Sequence, residues 1–264
     1  MTDVRTFVLM VLEVIADMSR EIARLADDDP RASRGLFTVT QAAAWLGVPR
    51  TTFASWVHGA ERPSGRRPTV ASPLSGQPIV LAVPARRGEP AVPLVGLAEG
   101  LVLDAFRRTG VPLQRIRPAL ERLDHELGVS HALASDRLSS DGAEVLYDYG
   151  ARLDPTGIRE LVTVRSGQRV FAPIVQERLA RVSYAADHWA DEIELPGYQQ
   201  VRVLVNIGRA LGRPVLDRTL VPVEDVVARW VAGDSIAELA DGFGLGPAEV
   251  EDVLRAATRR AAVS

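Results

Sequence analysis

The sequence predicts an α+β fold, and three observations carry the prediction. Residues 37–59 hold two short, capped segments with helical spacing of apolar side chains. Between residues 128 and 206 come short runs rich in β-branched and aromatic residues, bounded by turn formers. Residues 207–264 return to helical spacing with a second capped unit. The expected order is an N-terminal helix and linker (1–30), a winged helix-turn-helix (31–127), a short-stranded α+β middle region (128–206) and a C-terminal three-helix domain (207–264).

The N-terminal stretch reads as a helix over residues 3–26. Val4, Val8, Val11, Ile15, Met18, Ile22 and Leu25 alternate spacings of four and three, a seam that can zip with a copy of itself or dock on the rest of the chain. Glu13 and Asp17 interrupt the apolar run and no small-residue cleavage site follows, so it is not read as a signal peptide. DDDPRASRG after it reads as a linker.

FTVTQAAAWLGVPRTTFASWVHG (37–59) follows. Thr38 and Gln41 have capping-box spacing, Gly47 suits a helix C-cap, and Pro49 suits the first position of a second helix ending at Gly59. Phe53, Trp56 and Val57 share one face of that helix. Arg50, Thr51, Thr52, Ser55 and His58 are left outside, with no acid among them, the make-up of a recognition helix. The competing interpretation is a purely structural helical hairpin.

Residues 60–95 alternate loop and strand signals. ERPSGRRP is a loop with Arg62, Arg66 and Arg67; IVLAVP and AVPLV read as strands flanking a turn with Arg86 and Arg87. A hairpin with arginines at its tip, directly after a two-helix unit, is the layout of a wing that reaches phosphate or minor groove. The alternative is a solvated Arg-rich loop. Thr40, Arg50, Thr51, Thr52, Ser55, His58, Arg62, Arg66, Arg67, Arg86 and Arg87 are the candidate DNA contacts. Helices over 96–106 and from Pro112 through Leu127, the latter interrupted by Pro118, complete the unit.

Charge supports this division. Thirteen arginines face five acids between Arg31 and Arg122, a net +8; the whole chain carries −3, so the remainder carries −11. All 31 basic residues are arginine, which reflects codon bias in a GC-rich genome more than chemistry. The chain has no cysteine, and its four histidines (His58, His125, His131, His188) lack ligand spacing, so no metal and no cofactor are expected. No apolar run is long enough to cross a bilayer, and a cytoplasmic location without membrane contact is expected.

In the middle region EVLYDYG, RELVTVR and QRVFAPIV read as strands, the last two joined by a tight turn at Arg165-Ser166-Gly167-Gln168. VSYAADHWADEIELP and QQVRVLVN add further strands. The tail offers a loop with an extended piece (GRPVLDRTLVP), a helix over Val223–Val231, a capping box at Ser235 and Glu238 opening a helix to Phe243, and a last helix opened by Gly246-Pro247. Its outline is again helix-turn-helix, but Glu249, Glu251 and Asp252 at the start of the last helix would repel phosphate, which points to a protein partner.

Enzyme chemistry finds little footing. Asp187, His188, Asp191 and Glu192 lie close in sequence, but a solvated charged face explains them; Gly242, Gly244 and Gly246 follow a helix and lack phosphate-loop spacing. No catalytic residue is assigned.

The 37–59 unit with its Arg-rich loop and VGLAEGLVLDAFRRTGVPLQRIRPALERL resembles the MerR-like winged helix-turn-helix of actinobacterial VapB-type antitoxins. GRPVLDRTLVPVEDVVARWVAGDSIAELADGFGLGPAEVEDVLRAA is similar to a small helical domain that accompanies PIN-domain toxins. The resemblance implies an antitoxin whose front part binds double-stranded DNA at its own operator and whose rear part silences a PIN-type ribonuclease. Such nucleases hold Mg²⁺ or Mn²⁺ in a cluster of acids, which a basic side chain can block; Arg255, Arg259 and Arg260 are the candidates. A homodimer is expected, because one two-helix unit reads a short half-site. The runner-up is a stand-alone MerR-like transcriptional regulator with a ligand-sensing C-terminal part and an apolar pocket within 128–206; a scaffold without a nucleic-acid role is the third reading.

Overall fold

The computed structural model describes residues 25, 28–59, 76–153, 158–165 and 168–263. The helix expected over 3–26 lies outside the described residues except for Leu25, which packs half-buried on the core. Where the sequence suggested only linker, Asp29 caps a single turn, α1 (Pro30–Ser33): its Oδ1 accepts the Arg31 N–H at 2.7 Å, and Pro30 suits the first turn.

The two helices that follow form as their caps dictate. In α2 (Val39–Leu46) the capping box is complete, Gln41 N donating to Thr38 Oγ1 at 3.1 Å and Thr38 N to Gln41 Oε1 at 3.0 Å. Gly47 ends it at φ +69°, a left-handed conformation that glycine adopts without cost. In α3 (Arg50–His58) Pro49 is the cap rather than the first helical residue.

The next helix, α4 (Leu94–Arg108), starts earlier than expected, so AVPLV is not a strand: Leu94 and Val95 already belong to the helix. Every residue from Leu94 to Phe106 is buried, which makes α4 a core helix rather than an amphipathic one. It packs against α1, α2 and the later elements around it. α5 (Leu113–Leu127) runs unbroken through Pro118.

Three strand readings in the middle region are corrected. EVLYDYG belongs to a helix, α6 (Ala143–Leu153), packed on α5; a short apolar run rich in aromatics fits either state, and here packing decides. RELVTVR starts with a 3₁₀ turn (Ile158–Leu161) before β1 (Val162–Arg165). QRVFAPIV splits into β2 (Gln168–Phe171) and a helix, α7 (Pro173–Leu179), because Pro173 cannot donate to a ladder and suits a helix start. Arg165 pairs with Gln168, so the connection is two residues long, as expected.

A four-stranded antiparallel sheet follows in simple order: β3 (Val182–Tyr184), β4 (Ala190–Glu194), β5 (Val203–Asn206) and β6 (Val215–Leu216). The C-terminal helices are α8 (Val223–Val231), α9 (Ile236–Phe243) and α10 (Pro247–Val263), as the sequence predicts. The second capping box is complete at Ser235 and Glu238, and Gly244 closes α9 at φ +65°.

Two contacts tie the parts together. Arg260 on α10 donates from Nη1 to the Tyr198 hydroxyl at 2.6 Å, and its guanidinium lies 3.8 Å from the centroid of the Trp45 ring on α2. Buried Asp252 on the same helix accepts Gln199 N at 2.6 Å and Gln200 N at 2.7 Å. On the other side of the core, Glu99 on α4 accepts Leu81 N at 2.6 Å and meets His131 Nδ1 at 2.7 Å, while Asp124 Oδ1 accepts Ala132 N at 3.0 Å. Burial pushes the Asp124 carboxyl up to about 6; the Ala132 N–H opposes this, Glu99 and Glu121 reinforce it and His131 weakens it. Burial also works against protonation of His131, but the Glu99 hydrogen bond and the charges of Glu99 and Asp124 outweigh it and hold the imidazole above its ordinary value.

Arg260→Ala is expected to lower stability by about 1–2 kcal/mol in thermal melts, the size of a desolvated cation–π contact with its hydrogen bond, and to red-shift the emission of Trp45. For Asp124 the folded value lies above the ordinary 3.8, so the stability its protonated form contributes is lost as pH rises through about 6. Asp124→Asn keeps an acceptor for Ala132 and removes the charge. Its stability relative to wild type should therefore rise by on the order of 2 kcal/mol between about pH 4 and pH 7; a difference that does not vary with pH would contradict the assignment.

Candidate nucleic-acid interface

The rear of α3 is sealed into the core. Phe53 and Trp56 are fully buried and Val57 nearly so, the two rings 5.8 Å apart and tilted at 58°. The Trp56 carbonyl accepts Ile79 N at 2.8 Å and Val80 N at 3.2 Å, which fastens the end of α3 to the chain returning behind it. The Arg107 guanidinium sits 5.5 Å from the Trp56 ring centroid, a contact that sequence spacing alone does not reveal.

With that face fixed, the outer face is set. Arg50, Thr51 and His58 are exposed; Thr52 and Ser55 are half-buried. Ser55 Oγ donates to the Thr52 carbonyl at 2.7 Å, so its hydroxyl faces a ligand mainly as an acceptor. Thr40 lies elsewhere: it lines a groove with Trp45 of α2, Val227 of α8 and Ala257 of α10, facing the C-terminal helices rather than the surface of α3.

The predicted wing is a turn without strands. Val83 N donates to Ala91 O at 2.8 Å, and Phe37 O accepts Ala91 N and Val92 N, so the return arm is pinned to Phe37, just ahead of the α2 cap, and no longer ladder forms. Pro84, Pro90 and Pro93 remove ladder donors along both arms. At the tip Glu89 N donates to Arg86 O at 3.0 Å and Glu89 Oε2 accepts Arg86 N at 2.9 Å, leaving the side chains of Arg86 and Arg87 exposed. Arg62, Arg66 and Arg67 lie outside the described residues.

Pairing separates these arginines from those of the rear half. Arg202 is bonded to Glu194 and Asp217, Arg209 to Glu192, Arg213 to Glu224 and Asp225, Arg218 to Glu249 and Arg229 to Asp234. Among the described residues no ion pair engages Arg50, Arg86 or Arg87, so their charge remains open to an external anion such as backbone phosphate.

The three tail arginines have different duties. Arg255 makes an exposed pair with Glu251 at 2.6 Å, Arg259 Nη2 donates to Gly197 O at 2.7 Å, and Arg260 holds Trp45 and Tyr198. The acids at the start of α10 are likewise occupied: Glu249 Oε2 accepts Gly246 N at 2.6 Å, a cap for its own helix, and Asp252 is turned inward. The Asp187–Glu192 stretch disperses, with Asp187 on Arg31, His188 on Asp136, Asp191 on Asn206 and Glu192 on Arg209. Among the described residues no three His, Cys, Asp or Glu side chains are grouped to hold a metal ion, and no helix is long and apolar enough to cross a membrane.

Comparison with known proteins agrees with this geometry. A family model described as "Putative DNA-binding HTH domain" matches residues 35–120, and one described as "Protein of unknown function (DUF433)" matches residues 204–256. The chain is 43% identical over 227 residues to the "Putative antitoxin VapB45" of Mycobacterium tuberculosis, covering 84% of this chain and 93% of that protein. It also matches the crystal structure of Rv2018 from Mycobacterium tuberculosis with a TM-score of 0.73 at 39% identity, over 85% of this chain and 99% of that one. A helix-turn-helix with an open cationic face, carried by a chain this similar to VapB45 over nearly its whole length, belongs to the family of VapB-type antitoxins.

Proposed function

We propose that the chain binds operator DNA at the promoter of its own operon and neutralises a PIN-type ribonuclease encoded beside it. The observation that carries the DNA half is the face of α3, where Arg50, Thr51, Thr52, Ser55 and His58 look outward without an acid among them and the opposite side is locked into the core. Arg86 and Arg87 extend the cationic surface as phosphate contacts. The assembly on DNA is a homodimer, each copy reading one half-site.

The toxin half rests on the C-terminal helices. Trp230 and Val231 at the end of α8 are 43% and 79% exposed, and Leu220 before that helix is 54% exposed. Such apolar side chains beside charged neighbours are the usual anchors of a protein interface. Arg255 is the arginine best placed to reach an acidic metal site, because Arg259 and Arg260 already hold the fold.

In gel-shift or fluorescence-anisotropy titrations with the upstream DNA, Arg50→Ala should weaken specific binding by about 1–3 kcal/mol while leaving non-specific binding nearly unchanged. Arg86→Ala should weaken binding to all duplexes and reduce the salt slope by about one. Unchanged binding in both variants would displace the interface from α3. On co-expression with the neighbouring gene product, Val231→Asp should abolish co-purification and restore ribonuclease activity; a wild-type chain that neither co-purifies with nor inhibits the nuclease would overturn the toxin assignment.

A further inference from the structure

Behind α3 lies a cavity of about 420 Å³ that neither the DNA face nor the toxin face uses. Val57, from the last turn of α3, forms part of its wall, with Ile79, Leu81, Leu120 and Leu133 supplying further apolar lining. Its size falls within the usual range for small-molecule sites.

One end of the cavity is cationic. Arg117 on α5 is only 8% exposed and lines the space. Its Nη1 donates to the Gln77 carbonyl, and among the described residues no carboxylate pairs with it. Burial alone pulls its pKa below the ordinary arginine value, as expected of a guanidinium that has lost water without gaining a counter-ion. A guanidinium has five N–H donors, and the Gln77 carbonyl takes one of those on Nη1, so this cavity-lining side chain has donor capacity to spare for an anion.

The other end is acidic. Asp124 lies seven residues further along the same helix, two turns and about 10 Å away on the same face. Its Oδ1 is taken by Ala132 N, while both oxygens of neighbouring Glu99 are engaged by Leu81 N and His131. Glu121 stands between the two ends on the exposed side. A dianion would meet these carboxylates and a plain cation would meet Arg117, so neither suits the whole cavity.

We propose that this cavity binds a small zwitterion, with its carboxylate on Arg117, its ammonium group near Asp124 and an aliphatic stem along Leu120 and Leu133. The site is independent of the DNA and toxin readings, and its test uses neither partner. Isothermal titration of the full chain with 6-aminohexanoate and 5-aminopentanoate, with hexanoate and hexylamine as single-charge controls, reads it directly. The zwitterions should bind saturably and the controls at least about tenfold more weakly. Arg117→Gln should reduce 6-aminohexanoate to the level of hexylamine, and Asp124→Asn should reduce it to the level of hexanoate. No saturable binding of either zwitterion up to about 20 mM, equal binding of a single-charge control, or affinity untouched by both substitutions would each overturn the proposal. Should Arg117→Gln fail to show a cooperative melt, the comparison of the four compounds on the wild-type chain decides alone.

Discussion

Gly96 and Gly100, one turn apart on α4, let that helix approach two neighbours more closely than any side chain would allow. A Cβ on Gly96 would collide with the Leu81 carbonyl, and one on Gly100 would come within 2.6 Å of Phe53 Cε2 and 2.9 Å of Leu46 Cδ1. Phe53 belongs to α3 and Leu46 to α2, so the seat of the helix-turn-helix depends on this contact. α4 in turn packs against α7 and β4, which continues the same core into the rear half. The outer face of α3 is thereby presented by a rigid support, with its donors oriented before any ligand arrives.

The distribution of ion pairs adds an electrostatic consequence. Arg202, Arg209 and Arg213 around the sheet, and Arg255 in the tail, are matched by local acids, and these exposed pairs contribute little to stability individually. Their larger effect is to cancel the rear cations, leaving that half with an excess of acids. Arg50, Arg86 and Arg87, which no ion pair engages among the described residues, then dominate the local field, which favours a polyanion at that end of the molecule.

Local signals in the sequence proved readable and long-range ones did not. Both capping boxes and the glycine stops were legible, because each depends on residues three to five apart. EVLYDYG reads equally well as strand or helix, because a short apolar run has no intrinsic period to separate the two, and packing on α5 settles it. The start of α4 is not legible, because Leu94 and Val95 are aliphatic residues following a proline and suit a strand equally well. At the interface the direction of α3 was legible from Phe53, Trp56 and Val57, whereas the turn of Thr40 toward α8 and α10 was not, since it depends on helices that lie far along the chain. The cluster of Glu99, Asp124 and His131 was likewise hidden, because its members meet only after three separate segments have folded.

The clasp of Arg260 on Trp45 joins residues more than two hundred positions apart. Loss of Arg260 would thus unseat a ring that supports the helix before α3, so a side chain of the last helix is part of the foundation on which the helix-turn-helix stands.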